Sequence, residues 1–375
     1  MRIAIVQSFY RSRLPSGENR VVEDQVGALL DAGHNVLTIR QDTDALQGRL
    51  YPLRTAANVA LGKGFDPSSQ LEHFRPDVIH VHNLFPNIST RWMTHRRTPI
   101  VASLHNYRLT CSNGLFFRDG NLCTECVDHG PIRAVIHGCY HNSRVATLPV
   151  AMSRRRTRDD FRNISVAVTT SELSDQIVRQ YVGGDLPTVM IPNFGSDARR
   201  VIGDTPVLPR WIAAGRLTPE KGILGLVRDW PPDESLLIVG DGPQRAEVEI
   251  DVKQRKEIEF RPSVNRHDFR ALLAASQGLV FPSRWFEADP QVVVEAMSLG
   301  IPVVACHVNA TAGIILRSGA GSVYSSRAEL AQALRQVKSN HVSMSKAARE
   351  EFSRRWTKEL WLERITNVYR RVLGE

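Results

Sequence analysis

The stretch from Phe281 to Cys306, FPSRWFEADPQVVVEAMSLGIPVVAC, leaves this chain few ways to fold. Gly278–Phe281 is a short apolar run and reads as a buried strand. Pro282–Asp289 mixes charge with aromatics and reads as a loop. Pro290 suits the first turn of a helix, where its missing N–H costs nothing. Val292, Val293, Ala296, Met297 and Leu299 give that helix an apolar face. Gly300 ends it, Pro302 forbids its continuation, and Pro302–Ala305 enters the next buried strand.

Glu287 and Glu295 stand eight positions apart across this unit. Between them the first helical N–H groups point out of the helix end, and the positive end of the dipole suits a phosphate. With carboxylates beside it to accept sugar hydroxyls, such a helix end makes a nucleotide-sugar pocket. The competing reading is a solvated helix whose acids merely complement the dipole.

At 375 residues the chain exceeds one ordinary core and calls for two domains. Its N-terminal half alternates strands and helices. Arg2–Val6, Asn35–Ile39, Asp77–His82, Pro99–Leu104 and Ser165–Thr169 read as strands, and Val21–Ala32 as a helix. That alternation implies a parallel, doubly wound sheet, which binds ligands beyond the carboxyl ends of its strands. Gly17, in Ser16-Gly17-Glu18-Asn19, could admit a ligand phosphate or hydroxyl close to the backbone, or simply open a helix. His105 follows a buried strand, where it suits chemistry or a structural hydrogen bond.

Residues 106–162 form a long insertion with Cys111, Cys123, Cys126 and Cys139. The spacing C-x11-C-x2-C-x12-C suits a structural zinc that would brace an irregular loop. An iron–sulfur cluster, disulfides and free thiols are the alternatives. Five cysteines and an N-terminus that enters a strand directly are read as a reducing, cytoplasmic setting without a signal peptide. The net charge of +9 points to acidic partners. Arg91, Arg96, Arg97 and the run Arg154–Arg158 are basic stretches: either a solvated face, or a peripheral contact with anionic lipid at the inner face of a membrane.

Ser196–Pro209, with Pro206, is the candidate linker. Beyond it, Trp211–Gly215, Ser235–Val239, Glu257–Phe260, Gly278–Phe281, Pro302–Ala305 and Gly321–Tyr324 read as a second set of strands. Arg216 and Lys221 put two cations at the ligand edge of that sheet. Gly240 lies in the turn GDGP, and the final helix has an apolar stripe through Trp361, Ile365, Val368, Tyr369 and Val372.

The set IPNFG, AAGRLTPEKG, LLIVGDGP and FPSRWFEADPQVVVEAMSLGIPVVA resembles the retaining glycosyltransferases of family 4, across essentially the whole chain. The resemblance implies the GT-B fold: two doubly wound Rossmann-like domains facing a cleft, with a C-terminal helix crossing back. The expected boundaries are 1–195 for the acceptor domain, 196–355 for the nucleotide-sugar domain and 356–375 for the crossing helix. It also implies that Arg216 and Lys221 bind the donor diphosphate, and that Glu287 meets the sugar hydroxyls and Glu295 the ribose. His105 would sit beside the donor sugar, and Gly17 would line the cleft. Gly240 and the helix entry Pro290, Gln291 and Val292 complete the donor set. Ala288 and Asp289 depart from the usual residues after the first glutamate, and Asp289 adds a negative charge near the phosphate site.

The implied donor is a nucleotide-diphosphate sugar and the acceptor a glycan, a lipid-linked sugar or a small molecule, as in cell-envelope polysaccharide synthesis. No catalytic metal is expected. Two other readings are a nucleotide-sugar epimerase on the same fold and a non-enzymatic nucleic-acid binder, although no nucleic-acid motif appears.

Overall fold

A computed structural model of the chain describes residues 1–10, 17–46, 48–182, 186–197 and 207–375. Ser16 and most of the expected linker, including Pro206, lie outside the described residues. The chain divides into two compact units. One comprises 1–118, 123–193 and 359–375; the other comprises 119–122 and 194–358. Both are Rossmann-like α/β units, as the alternation of elements implied.

The first unit is built on a six-stranded sheet ordered Asn35–Asp42, Arg2–Phe9, Val78–Val81, Ile100–Ser103, Val166–Thr169, Thr188–Met190. Every pairing is parallel. Runs such as Ile3–Val6 are buried throughout, because helices cover both faces of a parallel sheet. Thr188–Met190 is a strand the sequence did not announce: three half-buried residues at an edge carry little apolar pattern. The chain reverses direction across the sheet between Arg2–Phe9 and Val78–Val81, which opens a crevice at their carboxyl ends.

Residues 106–162 are more regular than an irregular, metal-braced loop. They contain the helices Glu125–Asp128, Ile132–His137 and Arg144–Asp160. Ser143 caps the last of these by accepting from the Ala146 N–H at 3.2 Å. The closing helix, Lys358–Leu373, buries Trp361, Ile365, Val368 and Tyr369, and residues 359–375 belong to the first unit. Its Tyr369 hydroxyl lies 2.7 Å from His80 Nδ1.

The second unit has a six-stranded sheet ordered Ile258–Arg261, Leu236–Val239, Leu208–Ala214, Ser276–Phe281, Val303–Cys306, Gly321–Tyr324, all parallel. Here the reversal falls between Leu208–Ala214 and Ser276–Phe281. The loops after these two strands carry Arg216, Lys221 and Glu287. Helix Gln291–Leu299 is buried from Val293 to Leu299, a wider apolar surface than one stripe, because it lies between its own sheet and helix His341–Arg355. Pro290 is the residue just before the helix, in extended conformation, and Gly300 ends it at φ +71°. No helix among the described residues is long and apolar enough to cross a membrane.

Candidate active site

In the second unit, two loops are stitched together at the point where the strand order reverses. The Arg284 N–H donates to the Glu220 carbonyl at 2.8 Å. Gly222 has φ +69°, and a Cβ there would stand 2.3 Å from the Pro282 carbonyl oxygen, so only glycine lets the loops approach. Lys221 Nζ donates to Glu287 Oε1, and Ser283 Oγ donates to Glu287 Oε2 at 2.7 Å. Both members of the ion pair are largely buried.

Arg216 differs from its neighbour. Its side chain is 48% exposed, and its ion-pair partner Glu220 lies 3.9 Å away. Most of its donor capacity therefore faces outward. The loop that carries it rests on the GDGP turn, with Leu217 N–H donating to the Asp241 carbonyl at 2.9 Å. A Cβ on Gly240 would come within 2.1 Å of the Gly215 carbonyl oxygen. Gly240 thus holds the loop in place by having no side chain.

Helix Gln291–Leu299 begins in the same loop cluster, and no side chain caps its N-terminus. The Gln291 Nε2 amide is buried with no hydrogen-bond partner. A buried, unpartnered donor beside free helical N–H groups suits an anionic or hydroxyl-bearing ligand. Asp289 and Val292, at the start of this helix, are half-buried.

Glu295 stands where the sequence put it on the helix, but it is not a surface acid. It is 6% exposed, and its Oε1 accepts from Arg266 Nε at 2.8 Å and from Arg270 Nη2 at 3.3 Å. Sequence reasoning missed both arginines. The available signal was their i, i+4 spacing, which sets them on one face of helix Arg266–Ala274.

The first unit holds an open pocket enclosing about 850 Å³, part of it open to solvent. His105 lines it, as do Glu18, His82, Asn106 and Arg108. His82 Nδ1 and His105 Nε2 share a hydrogen bond of 2.9 Å, and their rings stack with His80 behind. Burial pushes His105 down to about 4 and His80 down to about 3, so the stack is neutral at pH 7. His105 can therefore offer a hydrogen bond but not a positive charge. His82 Nε2 is buried without a partner.

Glu18, which the sequence named only as part of a loop, is the more unusual acid. The residue is partly exposed, yet its Oε1 is out of solvent and unpartnered. Asn106 Nδ2 reaches Oε2 only at 3.5 Å. Burial raises this carboxyl from 4.5 to about 7, with Asn106 and Arg108 opposing. Gly17 opens helix Gly17–Asp31, and a Cβ there would meet nothing within 4 Å, so local packing does not demand a glycine.

The disulfide alternative for the cysteines falls away. No two of the five cysteines form a disulfide. Cys111 Sγ donates to Asn113 Oδ1 at 2.9 Å, and burial raises the Cys126 thiol to about 11. Among the described residues, no three His, Cys, Asp or Glu side chains stand as a ready set of metal ligands, although Cys111, Cys123 and Cys139 are close enough to act on the Cys126 thiol. The basic run also changes. Arg154 Nη1 donates to the Cys126 carbonyl at 2.6 Å. Arg156 donates to the Val59 and Ala60 carbonyls, both at 2.6 Å, satisfying the end of helix Tyr51–Leu61. Within the run Arg154–Arg158 only Arg155 remains exposed, since five residues already wrap more than once around a helix.

Comparison with known proteins adds an independent line. The family model described as glycosyl transferases group 1 matches residues 209–340. The one described as Glycosyltransferase Family 4 matches residues 15–198. A GDP-mannose-dependent monoacylated alpha-(1-6)-phosphatidylinositol monomannoside mannosyltransferase of Corynebacterium glutamicum is 28% identical over 203 residues, covering 48% of this chain and 52% of that one. The match thus spans about half the length of that curated relative. Sucrose-phosphate synthase from Thermosynechococcus elongatus superposes with a TM-score of 0.70 at 18% identity, covering 100% of this chain and 99% of that one. Anabaena Alr3699/HepE, solved in complex with UDP and glucose, gives 0.62 at 18% identity, covering 98% and 99%.

Proposed function

We propose that this chain, which belongs to the group 1, family 4 glycosyltransferases, moves a sugar from a nucleotide-diphosphate sugar to a hydroxyl of a glycan, lipid-linked or small-molecule acceptor. The observation that carries this reading is the cluster in the second unit: outward-facing Arg216, the Lys221–Glu287 pair and the uncapped helix end with the unpartnered Gln291 amide.

The proposed chemistry follows from charge. As the bond from the anomeric carbon to the diphosphate oxygen breaks, negative charge grows on the leaving group. Arg216 can chelate two of its oxygens, Lys221 supplies a point charge, and the N–H groups at Gln291 and Val292 add the helix dipole. Glu287 neutralises Lys221 before the donor arrives and leaves its Ser283-bonded carboxylate to orient the sugar hydroxyls. Glu295, fixed by Arg266 and Arg270, is the candidate acceptor of ribose hydroxyls. The resemblance supports retention at the anomeric carbon, with the acceptor oxygen attacking from the leaving group's face and a donor phosphate oxygen taking its proton. No side-chain base is assigned.

The open pocket with neutral His105 and the desolvated Glu18 supports an acceptor site in the first unit. The lipid acceptor named for the Corynebacterium relative supports an acceptor presented at a membrane surface.

A thermal-shift panel of nucleotide sugars, including GDP-mannose and UDP-glucose, tests the donor assignment, because a ligand that binds the native state raises its melting temperature by mass action. One donor should stabilise the protein, and Arg216→Ala should shrink the shift at the same donor concentration. Absence of any shift across the panel, with calorimetry also silent, overturns it.

A further inference from the structure

Exposed large hydrophobic side chains of the described residues concentrate on three helices of the first unit. Helix Arg144–Asp160 packs against both Tyr51–Leu61 and Ile132–His137. On the first of these, Val145, Leu148 and Met152 stand exposed along one stripe, which Arg155 continues. Leu53 is 70% exposed and Leu61 50%, on the same broad face of an 11-residue helix that buries no residue at all. Ile132 and Ile136 repeat the pattern at i, i+4. A helix of that length rarely holds together in water without an apolar face to bury.

The exposed charge on these three helices is mostly of one sign, and Glu125, the acid that touches one of them at His137, is also paired with Arg118. Arg54, Arg133, Arg144 and Arg155 are exposed beside them. Acidic residues occur on the three helices only as Asp159 and Asp160, at the far end of the longest, and Asp160 is buried under the Thr90 hydroxyl at 2.5 Å. The pocket described above lies between two of the same helices. Its lining includes Asn58, Val59 and Gly62 from one side, and Val150, Ser153 and Arg156 from the other.

We propose that this face lies on an anionic lipid bilayer and passes the headgroup of a lipid-anchored acceptor into the pocket that holds His105 and Glu18. The docking stands on the surface alone; the acceptor's passage rests on the glycosyl-transfer reading. A bilayer interface accepts both halves of the pattern at once. Leucine and isoleucine side chains enter the headgroup–acyl boundary while arginine stems snorkel to the phosphates. A second copy of the chain would oppose arginines with arginines, which charge complementarity forbids.

Flotation of the full chain with vesicles tests this without any substrate. The protein should float with vesicles of phosphatidylcholine and phosphatidylglycerol and stay behind with phosphatidylcholine alone. Each of Arg54→Gln, Arg133→Gln and Arg155→Gln should weaken partitioning about fivefold. The triple change Leu53→Asp, Leu148→Asp, Met152→Asp should abolish flotation while leaving the melting temperature and the donor-induced shift intact, so a failure here is separable from a failure of the donor reading. Leu316→Asp, an exposed leucine of the second unit, should change nothing. Three results overturn the proposal: no flotation with either vesicle, flotation indifferent to the apolar triple change, or a dimer in size-exclusion chromatography that Leu53→Asp dissolves in the absence of flotation.

Discussion

Glu295 and Arg266 are 29 residues apart in sequence and 2.8 Å apart in space, and their pairing converts a helix acid into a fixed, buried charge. Arg270 adds a second bond to the same oxygen, so the carboxylate is held in one rotamer before any ligand arrives.

Removing that carboxylate should cost both stability and binding. Glu295→Ala leaves two arginines facing each other with little solvent, which destabilises by roughly 3 kcal/mol. Glu295→Gln keeps the shape and should lose less stability while still weakening the cognate nucleoside diphosphate. Urea unfolding beside calorimetric titration checks the pair; two variants with wild-type stability and affinity would refute the assignment.

Arg216 and Lys221 should separate in the same assays. Arg216→Ala removes an exposed cation whose nearest carboxylate is 3.9 Å away, so stability should hold. Its nucleoside diphosphate affinity should fall about 10- to 100-fold, the loss of a charge-assisted hydrogen bond. Lys221→Ala also strands Glu287, and should lose about 1–3 kcal/mol of stability in addition.

Gly240→Ala should act through the loop that bears Arg216. The new methyl would meet the Gly215 carbonyl oxygen at 2.1 Å, and backbone must move to relieve it. About 1–3 kcal/mol of stability should be lost, with donor affinity falling because the loop bearing Arg216 shifts. A crystal structure of the variant with that loop unmoved would count against this account.

Glu18 should give a pH signature. Its folded-state value, about 7, lies above the ordinary 4.5, so the native state binds the proton more tightly. Stability from this group is therefore present below pH 4.5, is lost as pH rises from 4.5 to 7, and stays lost above. Glu18→Gln should gain on wild type across that window, by about 1–3 kcal/mol at pH 8, and its advantage should vanish at pH 4. Parallel thermal unfolding curves for the two proteins at every pH would show that the carboxyl is solvated after all.

Tyr369→Phe should report on the closing helix. It removes the partner of His80 Nδ1 and leaves a buried ring nitrogen unpaired. A loss of about 1–3 kcal/mol in chemical unfolding is expected, with donor affinity unchanged.

Much of the loop cluster in the second unit was legible in the sequence. The second unit's six strands appear as apolar runs, and the helix from Gln291 to Gly300 is announced by proline, periodicity and glycine. Gly222, Arg216 and Lys221 declare a loop of special geometry and charge. All of these are signals written within a few residues, because backbone sterics, capping and helical period act over one or two turns.

Tertiary structure decided what those residues do. Strand order placed the loops bearing Arg216 and Glu287 side by side, and nothing in either strand encodes its neighbour. Burial turned Glu295 toward Arg266 and Arg270, drew His82 onto His105, and raised Glu18 toward neutrality. It also overturned a local reading: Arg154 and Arg156 bond carbonyls instead of forming a solvated run. The reason is physical. Desolvation and charge pairing depend on which distant groups share a low-dielectric interior, and only the packed chain fixes that company.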